Sequence, residues 1–223
     1  MARGLKDAPF LQWKPADARY RYLLTFDAAD GVPGGDFSVA DVWDCESWEQ
    51  VAQWRGLVPP DDFGEIGVML GMLYNEALLA PEVNNHGLVT CKTIEGMGYR
   101  HLYEREENKG GTTLGFYTMP GATGTRARMI NSLRATLRDM TIKINSPTTF
   151  SELRSFVKKA NGKMGPQPSC FSDTVITACI ASVLLEDCVN IPEKKSEGGR
   201  QRLSIMNRAT PGGLQSPRRG GYG

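Results

Sequence analysis

Four acidic side chains are the residues of this chain best suited to metal chemistry. Asp27 and Glu82 each end a short apolar run, Asp36 follows a glycine-rich turn, and Asp173 precedes a long apolar run. Carboxylates are the oxygen ligands that Mg²⁺ takes, usually a few at a time together with substrate phosphates. Because strand ends and a helix start can bring distant residues together, the pattern predicts a divalent-cation site with metal-dependent phosphodiester chemistry.

Each acid taken alone also has a structural explanation. Asp27 and Asp36 lie beside turns, where aspartate commonly bonds its own backbone. Asp173 stands where a helix N-cap would stand. Glu82, directly after Pro81 in an apolar context, has no such explanation. One acid after the first predicted strand, one after the fourth and one at the last long helix form a more specific signal than any single member.

The elements that must position these acids predict an α/β protein. We expect strands over residues 19–27, 37–44, 46–56, 78–81, 99–104 and 114–119, and helices over 60–77, 84–98, 126–140, 148–160 and 174–189. The cap of the helix over 148–160 is expected at Thr148 or Thr149, with Phe150 facing inward. An early meander followed by β-α-β units favours a mixed sheet with helices on its faces.

Composition divides the chain into three parts. We expect an N-terminal segment over residues 1–19, a single domain over 20–191 and a flexible basic tail over 192–223, which is rich in Gly, Ser, Pro and Arg. No run of 18 apolar residues is present, so no membrane helix is expected. The five cysteines form no C-x-x-C pair and are expected to be unpaired thiols.

Charge is segregated although the net charge is only +1. Residues 1–91 contain 6 basic and 14 acidic residues, a net charge of −8, and residues 92–163 contain 13 and 6, a net charge of +7. An acidic region that holds cations followed by a basic region that holds phosphates suits a nuclease. Scattered solvated faces explain the same charge pattern equally well.

Several stretches resemble the C-terminal nuclease domain of the tailed-bacteriophage terminase large subunit, an RNase H-like protein. They are Phe-Asp-Ala-Ala-Asp-Gly at 26–31, Gly-Asp-Phe-Ser at 35–38, Pro-Glu-Val-Asn-Asn-His-Gly at 81–87, Tyr-Arg-His-Leu-Tyr at 99–103, Gly-Phe-Tyr-Thr at 115–118 and Phe-Ser-Glu-Leu-Arg-Ser-Phe at 150–156. Their order covers roughly residues 20–190. The resemblance implies an RNase H-like mixed central sheet flanked by helices on both faces.

The same resemblance implies an activity and its site. Asp27, Glu82 and Asp173 would be catalytic and bind the metal with Asp36, and the cofactor would be two Mg²⁺ or Mn²⁺ ions. Proteins of this family usually have His-Asp-Asp before the last helix, whereas this chain has Phe171-Ser172-Asp173, so only the second acid is present. His86 and Ser172 would lie next to the ligands, although His86 taken alone is better explained as a turn or surface histidine.

Partners follow from the resemblance as well. The substrate would be double-stranded viral DNA, cut during genome packaging in the host cytoplasm, with the portal protein and the small terminase subunit as partners. The chain has no G-x-x-x-x-G-K-[ST] phosphate loop. It therefore resembles a nuclease domain without its ATPase motor, oligomeric in the assembled motor and monomeric in isolation.

Basic residues are the expected contacts to the DNA backbone, which position a substrate without reading its sequence. Each of them is individually also explained as a solvated charge. They are Lys92, Arg100, His101, Arg126 and Arg128. Two other functions remain open, namely a DNA- or portal-docking module with weak nuclease activity in isolation, and a related RNase H-like junction resolvase.

Overall fold

The structure is a computed structural model that describes residues 9–106, 110–119 and 124–188. These residues form a five-stranded sheet, two two-stranded sheets and five helices. The strands of the large sheet are β1 (Phe10–Gln12), β2 (Tyr22–Asp27), β3 (Ser38–Asp44), β4 (Glu49–Gly56) and β5 (Leu78–Pro81). The small sheets pair β6 (Glu104–Glu106) with β7 (Thr112–Leu114), and β8 (Phe156–Lys158) with β9 (Met164–Pro166). The helices are α1 (Pro60–Leu73), α2 (Gly87–Gly96), α3 (Thr125–Arg138), α4 (Pro147–Ser155) and α5 (Asp173–Cys188).

Strand order in the large sheet is β1-β4-β3-β2-β5. Strands β2, β3 and β4 form an antiparallel meander, and β5 joins the other edge of β2 in parallel after the crossover through α1. This crossover brings the end of β5 to the end of β2, since parallel strands run in the same direction. The sheet is therefore mixed, as the sequence predicts.

Side chains alternate between the two faces of the sheet, as the period of a strand requires. Leu23, Trp43 and Ala80 pack on one face with residues of α3 and α5. Leu24 and Phe26, which follow in the same strand, pack on the other face with α1 and α2. Two buried cores thus enclose the sheet, and the predicted α/β fold with helices on both faces is confirmed.

Several predicted elements differ from the structure. The predicted N-terminal segment contains the edge strand β1, which pairs with β4. The predicted strands over 99–104 and 114–119 are replaced by isolated bridges at Leu102 and Phe116 and by the short pair β6 and β7, because these segments follow the sheet edge only locally. The predicted tail over 192–223 lies outside the described residues, and so does the predicted loop over 121–124 except for residue 124.

Helix α4 is shorter than predicted and begins at a different cap. Ser146 is its N-cap and accepts the N–H of Thr149, and the helix ends at Ser155 where β8 begins. Its buried positions are Thr149 and Glu152, whereas Phe150 is exposed. The prediction of an inward Phe150 is wrong because this helix packs a polar face against the sheet.

Cysteine pairing also differs in one place. Cys91, Cys170 and Cys179 are free thiols, as expected. Cys45 is fully buried and forms a disulfide, so the prediction of an unpaired thiol is wrong for this residue.

A buried polar network anchors the helices to the sheet. Asp41, at the centre of β3, is fully buried, and its Oδ1 accepts hydrogen bonds from the side-chain amides of Gln50 and Gln53, both at 2.8 Å. Its Oδ2 accepts the hydroxyl of Thr177 on α5. Gln53 in turn accepts the hydroxyl of Ser146, the cap of α4, at 2.7 Å. One carboxyl thus links two strands to two helices.

Burial raises the pKa of Asp41 to about 6 from 3.8, although hydrogen bonds from Thr177, Gln53 and Gln50 act against the shift. Between these values the folded protein holds a proton on Asp41 that the unfolded chain has released. The free energy of unfolding therefore falls as pH rises through that window, by at most about 3 kcal/mol from this group.

We expect Asp41→Asn to remove this pH dependence. An asparagine keeps its oxygen for Gln50 and Gln53, and its amide donates to the Thr177 hydroxyl, which itself donates to the Thr174 carbonyl at 2.9 Å. The variant should therefore be at least as stable as the wild type at pH 7, and the difference should shrink as pH falls from 6 to 4. Urea denaturation across this range measures it, with the exposed change Glu65→Gln on α1 as the control. A difference in unfolding free energy that stays constant with pH contradicts the assignment.

Candidate acidic metal centre

Asp27 and Glu82 meet at the carboxyl ends of two parallel strands. Phe26 and Pro81 are register partners in β2 and β5, so the residues that follow them leave the sheet side by side. The Glu82 N–H donates to the Phe26 carbonyl at 3.1 Å, which continues the pairing by one step. Their carboxyls interact, since Glu82 helps to raise the pKa of Asp27 and Asp27 acts to lower that of Glu82. Sheet topology alone therefore builds the first half of the centre.

Asp173 completes the group from the other side of the chain. It is the first residue of α5, the helix that packs across β2 and β3. Its Oδ2 accepts the N–H of Phe37 at 3.0 Å, which ties the helix start to the loop that carries Asp36. Asp173 lies near enough to Asp27 and Asp36 for electrostatic repulsion with each. All four predicted acids therefore lie in one connected region.

Crowding and burial raise the pKa of these carboxyls. Asp27 is half-buried. Its pKa lies well above the ordinary value, chiefly because the carboxyl is desolvated and then because of the charges of Glu82 and Asp173. Desolvation also raises the pKa of Glu82, which Thr118 and Arg126 act against. Burial raises the pKa of Asp173 to about 6. Acids held together at this cost are stabilised by a cation.

The donors fit a hard divalent ion. They are carboxylate oxygens together with the hydroxyl of Thr118, which lies beside Glu82 and whose buried Oγ1 has no hydrogen-bond partner of regular geometry. Across residues 9–106, 110–119 and 124–188, no group of three or more His, Cys, Asp or Glu side chains is arranged as a ready metal cage.

Backbone contacts hold Glu82 in place. The Asn84 side chain donates to the Thr118 carbonyl at 2.9 Å and accepts the Thr118 N–H at 3.2 Å, and the Val83 N–H donates to the Phe116 carbonyl at 2.8 Å. Gly87, the first residue of α2, packs directly on the Glu82 peptide, where an added Cβ would overlap the Glu82 carbonyl oxygen.

Arg126 is the predicted DNA contact that lies nearest the acids. It is half-buried in the first turn of α3 and lowers the pKa of both Asp27 and Glu82. Arg128 is exposed on the same helix. A guanidinium beside the carboxyls is suitably placed for a phosphate that approaches them.

Of the other predicted basic contacts, Arg100 and His101 lie near the opposite end of β5 from Glu82, and Lys92 lies on α2. Lys92 on α2 forms an exposed ion pair with Glu95 at 2.8 Å. His101 contacts the Glu76 carbonyl through Nδ1 at 2.7 Å, at the start of β5 rather than at the end that carries Glu82, and Arg100 beside it is exposed. Contact of Arg100 and His101 with DNA would require a substrate that reaches that end of β5, and the role of Lys92 stays a prediction.

His86 and Ser172 flank the acidic segments. His86 is exposed directly before α2 and makes no side-chain cap bond to that helix. Ser172 is half-buried, and its carbonyl accepts the N–H groups of Val175 and Ile176 at 3.0 Å, which begins α5. Both remain predictions as neighbours of a bound metal.

Sequence reasoning missed the residues that support Asp173. Glu152 is buried on α4, and its Oε2 accepts the N–H and the hydroxyl of Thr174 at 2.9 and 2.7 Å, which caps α5. Arg55, at the end of β4, lies 3.8 Å from the other oxygen of Glu152. Nothing in the sequence marks Glu152 as buried, because a helix places it on the side opposite to the predicted inward residue Phe150.

No protein-family model matches this sequence, and no curated protein matches it. Solved structures do match the fold. The large terminase nuclease of thermophilic phage G20c, crystallised with bound cobalt and with bound magnesium, has a TM-score of 0.64 and 16% identity, covering 79% of this chain and 87% of that chain. The Thermus phage P74-26 large terminase nuclease domain has a TM-score of 0.60 and 16% identity, covering 80% of this chain and 87% of its own. The chain therefore has the fold of phage large terminase nuclease domains, which confirms the fold implied by the sequence resemblance.

We expect Gly87→Ala to distort the Glu82 segment. Its methyl group would overlap the Glu82 carbonyl oxygen, and overpacking of this kind costs about 1–3 kcal/mol of unfolding free energy. Gly96→Ala at the other end of α2 is the matched control, since a Cβ there meets no atom within 4 Å. Thermal denaturation should show a lower melting temperature for Gly87→Ala and an equal or higher one for Gly96→Ala. Equal melting temperatures for the two variants would contradict the close packing at Gly87.

Proposed function

We propose that this chain is a metal-dependent endonuclease that cuts double-stranded DNA during viral genome packaging, acting as the nuclease domain of a large terminase subunit. The observation that carries the proposal is the pairing of the Asp27 and Glu82 carboxyls at adjacent parallel strand ends, with Asp173 beside them. The shared fold with terminase nuclease domains supports it.

Asp27, Glu82 and Asp173, with Asp36, are the proposed ligands of two Mg²⁺ or Mn²⁺ ions. When bound, such ions supply an activated water and stabilise the leaving oxygen of a phosphodiester. The chain itself contributes carboxylates held close by sheet topology and a hydroxyl, that of Thr118, beside them. Its Arg126 offsets part of the negative charge, which favours entry of a phosphate into an acidic site.

The proposal extends to the setting of the reaction. The portal protein and the small terminase subunit would be partners within an oligomeric packaging motor in the host cytoplasm. Among the described residues, no helix is both long enough and apolar enough to span a membrane.

We expect plasmid cleavage in Mn²⁺ or Mg²⁺ that EDTA abolishes. Asp27→Asn and Glu82→Gln remove one charge each from the paired carboxyls while keeping their size, and each should lower the cleavage rate by at least about 100-fold, since even residues outside the metal shell often cost 10- to 100-fold. Supercoiled plasmid conversion followed on agarose gels measures the rate.

Glu65→Gln is the control for these variants, because Glu65 is an exposed carboxylate on α1. It should cut at the wild-type rate. Cleavage that persists in EDTA, or in both Asp27→Asn and Glu82→Gln, would refute the metal-centre assignment. A strong preference for four-way junctions over linear duplex would favour a junction resolvase instead.

We expect Arg126→Gln to weaken duplex binding measured in EDTA by fluorescence anisotropy. A lost phosphate contact weakens binding to all sequences and reduces the slope of log affinity against log salt by about 1. Arg134→Gln, on the exposed face of the same helix, is the matched control and should retain the wild-type slope. Identical slopes for the two variants would remove Arg126 from the DNA interface.

A further inference from the structure

Arg55 occupies an unusual place beside the acidic centre. It ends β4 next to Gly56, and its side chain is only 23% exposed. Its guanidinium Cζ lies 3.4 Å from the centroid of the Phe37 ring and 5.7 Å from that of Phe171. The two rings contact each other edge to face at 5.3 Å. A cation held flat against aromatic rings in a partly desolvated place is a stabilising arrangement.

The contacts around Arg55 form a closed circuit that includes Asp173. Phe37, on which the guanidinium stacks, donates its N–H to Asp173 Oδ2. Glu152, which faces Arg55 Nη2 at 3.8 Å, caps the next residue, Thr174, through its other oxygen. Arg55 therefore contacts both residues that fix the start of α5. It stacks on the ring of Phe37, and its charge faces Glu152.

The ion pair is too long to explain this placement by itself. At 3.8 Å the Arg55–Glu152 contact exceeds hydrogen-bond distance, and both Arg55 Nε and Glu152 Oε1 are buried without a hydrogen-bond partner. Stacking on Phe37 is the short contact of the guanidinium. The planar shape of arginine, which lysine lacks, is thus the property that the site uses.

We propose that Arg55 is a positioning residue of the acidic centre, which by stacking on Phe37 and facing Glu152 holds one oxygen of Asp173 on the Phe37 N–H and leaves the other for a divalent cation. The proposal rests on the metal-dependent function proposed above. It assigns Arg55 no contact with substrate. Its effect reaches the metal through Asp173, so it is visible in metal affinity before any DNA is present.

The test uses the full 223-residue chain and Mn²⁺ alone as the probe. Free Mn²⁺ is read from its electron paramagnetic resonance signal, and folding from urea denaturation. We expect Arg55→Gln and Arg55→Lys both to raise the Mn²⁺ dissociation constant by about 10- to 100-fold, the range for residues that orient metal ligands. The exposed control Arg134→Gln should bind Mn²⁺ as the wild type does. Unchanged affinity in the Arg55 variants, or full recovery in Arg55→Lys, would overturn the proposal.

A second variant keeps the test decisive where loss of Arg55 impairs folding. Phe37→Leu retains the peptide N–H that Asp173 accepts but removes the ring under the guanidinium. It should weaken Mn²⁺ binding, and the double variant Arg55→Gln/Phe37→Leu should bind no more weakly than Arg55→Gln alone, because Arg55→Gln already removes the stack that Phe37→Leu removes. Wild-type affinity in Phe37→Leu, or losses that add in the double variant, would overturn the proposal.

Metal binding and DNA cleavage together separate the positioning role of Arg55 from the proposed nuclease activity. If the wild type binds Mn²⁺ and cuts DNA while the Arg55 variants keep wild-type affinity, the positioning role is refuted and the nuclease assignment stands. If the wild type binds Mn²⁺ in an Arg55-dependent way but cuts no DNA, the positioning role is supported and the nuclease assignment is refuted. Absence of Mn²⁺ binding in the wild type overturns both.

Discussion

Parallel pairing of β2 with β5 is the constraint on which the acidic centre depends. The register that matches Phe26 with Pro81 leaves Asp27 and Glu82 at one edge of the sheet, and no other element is needed to bring them together. The same pairing makes β2 a central strand, and its apolar residues are buried on both faces. Core packing and site geometry therefore rest on one register, and a slip by one residue would reverse every side chain of the strand.

The third acid depends on a separate set of interactions. Asp173 belongs to α5, which reaches the sheet from far along the sequence, and its position is set by polar contacts rather than by strand pairing. Thr177 bonds to Asp41, Thr174 bonds to Glu152, and Asp173 accepts the Phe37 N–H. Buried polar groups are costly unless they are paired, so helix α5 has few alternative positions along the sheet. An apolar helix without these contacts would pack against the same face with a less defined register, since hydrophobic burial is not directional.

Much of the fold and the positions of the acids could be predicted from the sequence, because local periodicity and the order of the elements determine them. The apolar run that ends in Asp27, the strand over 78–81 and the apolar helix α5 are local patterns, and the mixed sheet follows from their order. The polar network was not predictable in this way. Asp41 fits the ordinary alternation of a strand, and Glu152 fits the exposed surface of a helix. Their hydrogen-bond partners are far away in the chain and leave no local pattern. Phe150 was predicted to face inward because these contacts, which turn the polar face of α4 to the sheet, were not visible in the sequence. The prediction of strands over 99–104 and 114–119 was wrong because pairing there is set by the neighbouring backbone and not by the side chains of these segments.

The contacts at the start of α5 show which acid could replace the one missing before this helix. The sequence resemblance implies an acidic residue where this chain has Ser172, and besides Asp27 the structure has two acids within electrostatic reach of Asp173, namely Glu152 and Asp36. Glu152 is a poor substitute, because one of its oxygens caps Thr174 and the other faces Arg55. Asp36 is exposed and adjoins Phe37, whose N–H already binds Asp173, so it can approach a cation without breaking a structural bond. In the proposed metal centre, Asp36 is therefore better placed than Glu152 to supply the ligand that Ser172 does not, and it directly precedes Phe37, on which Arg55 stacks.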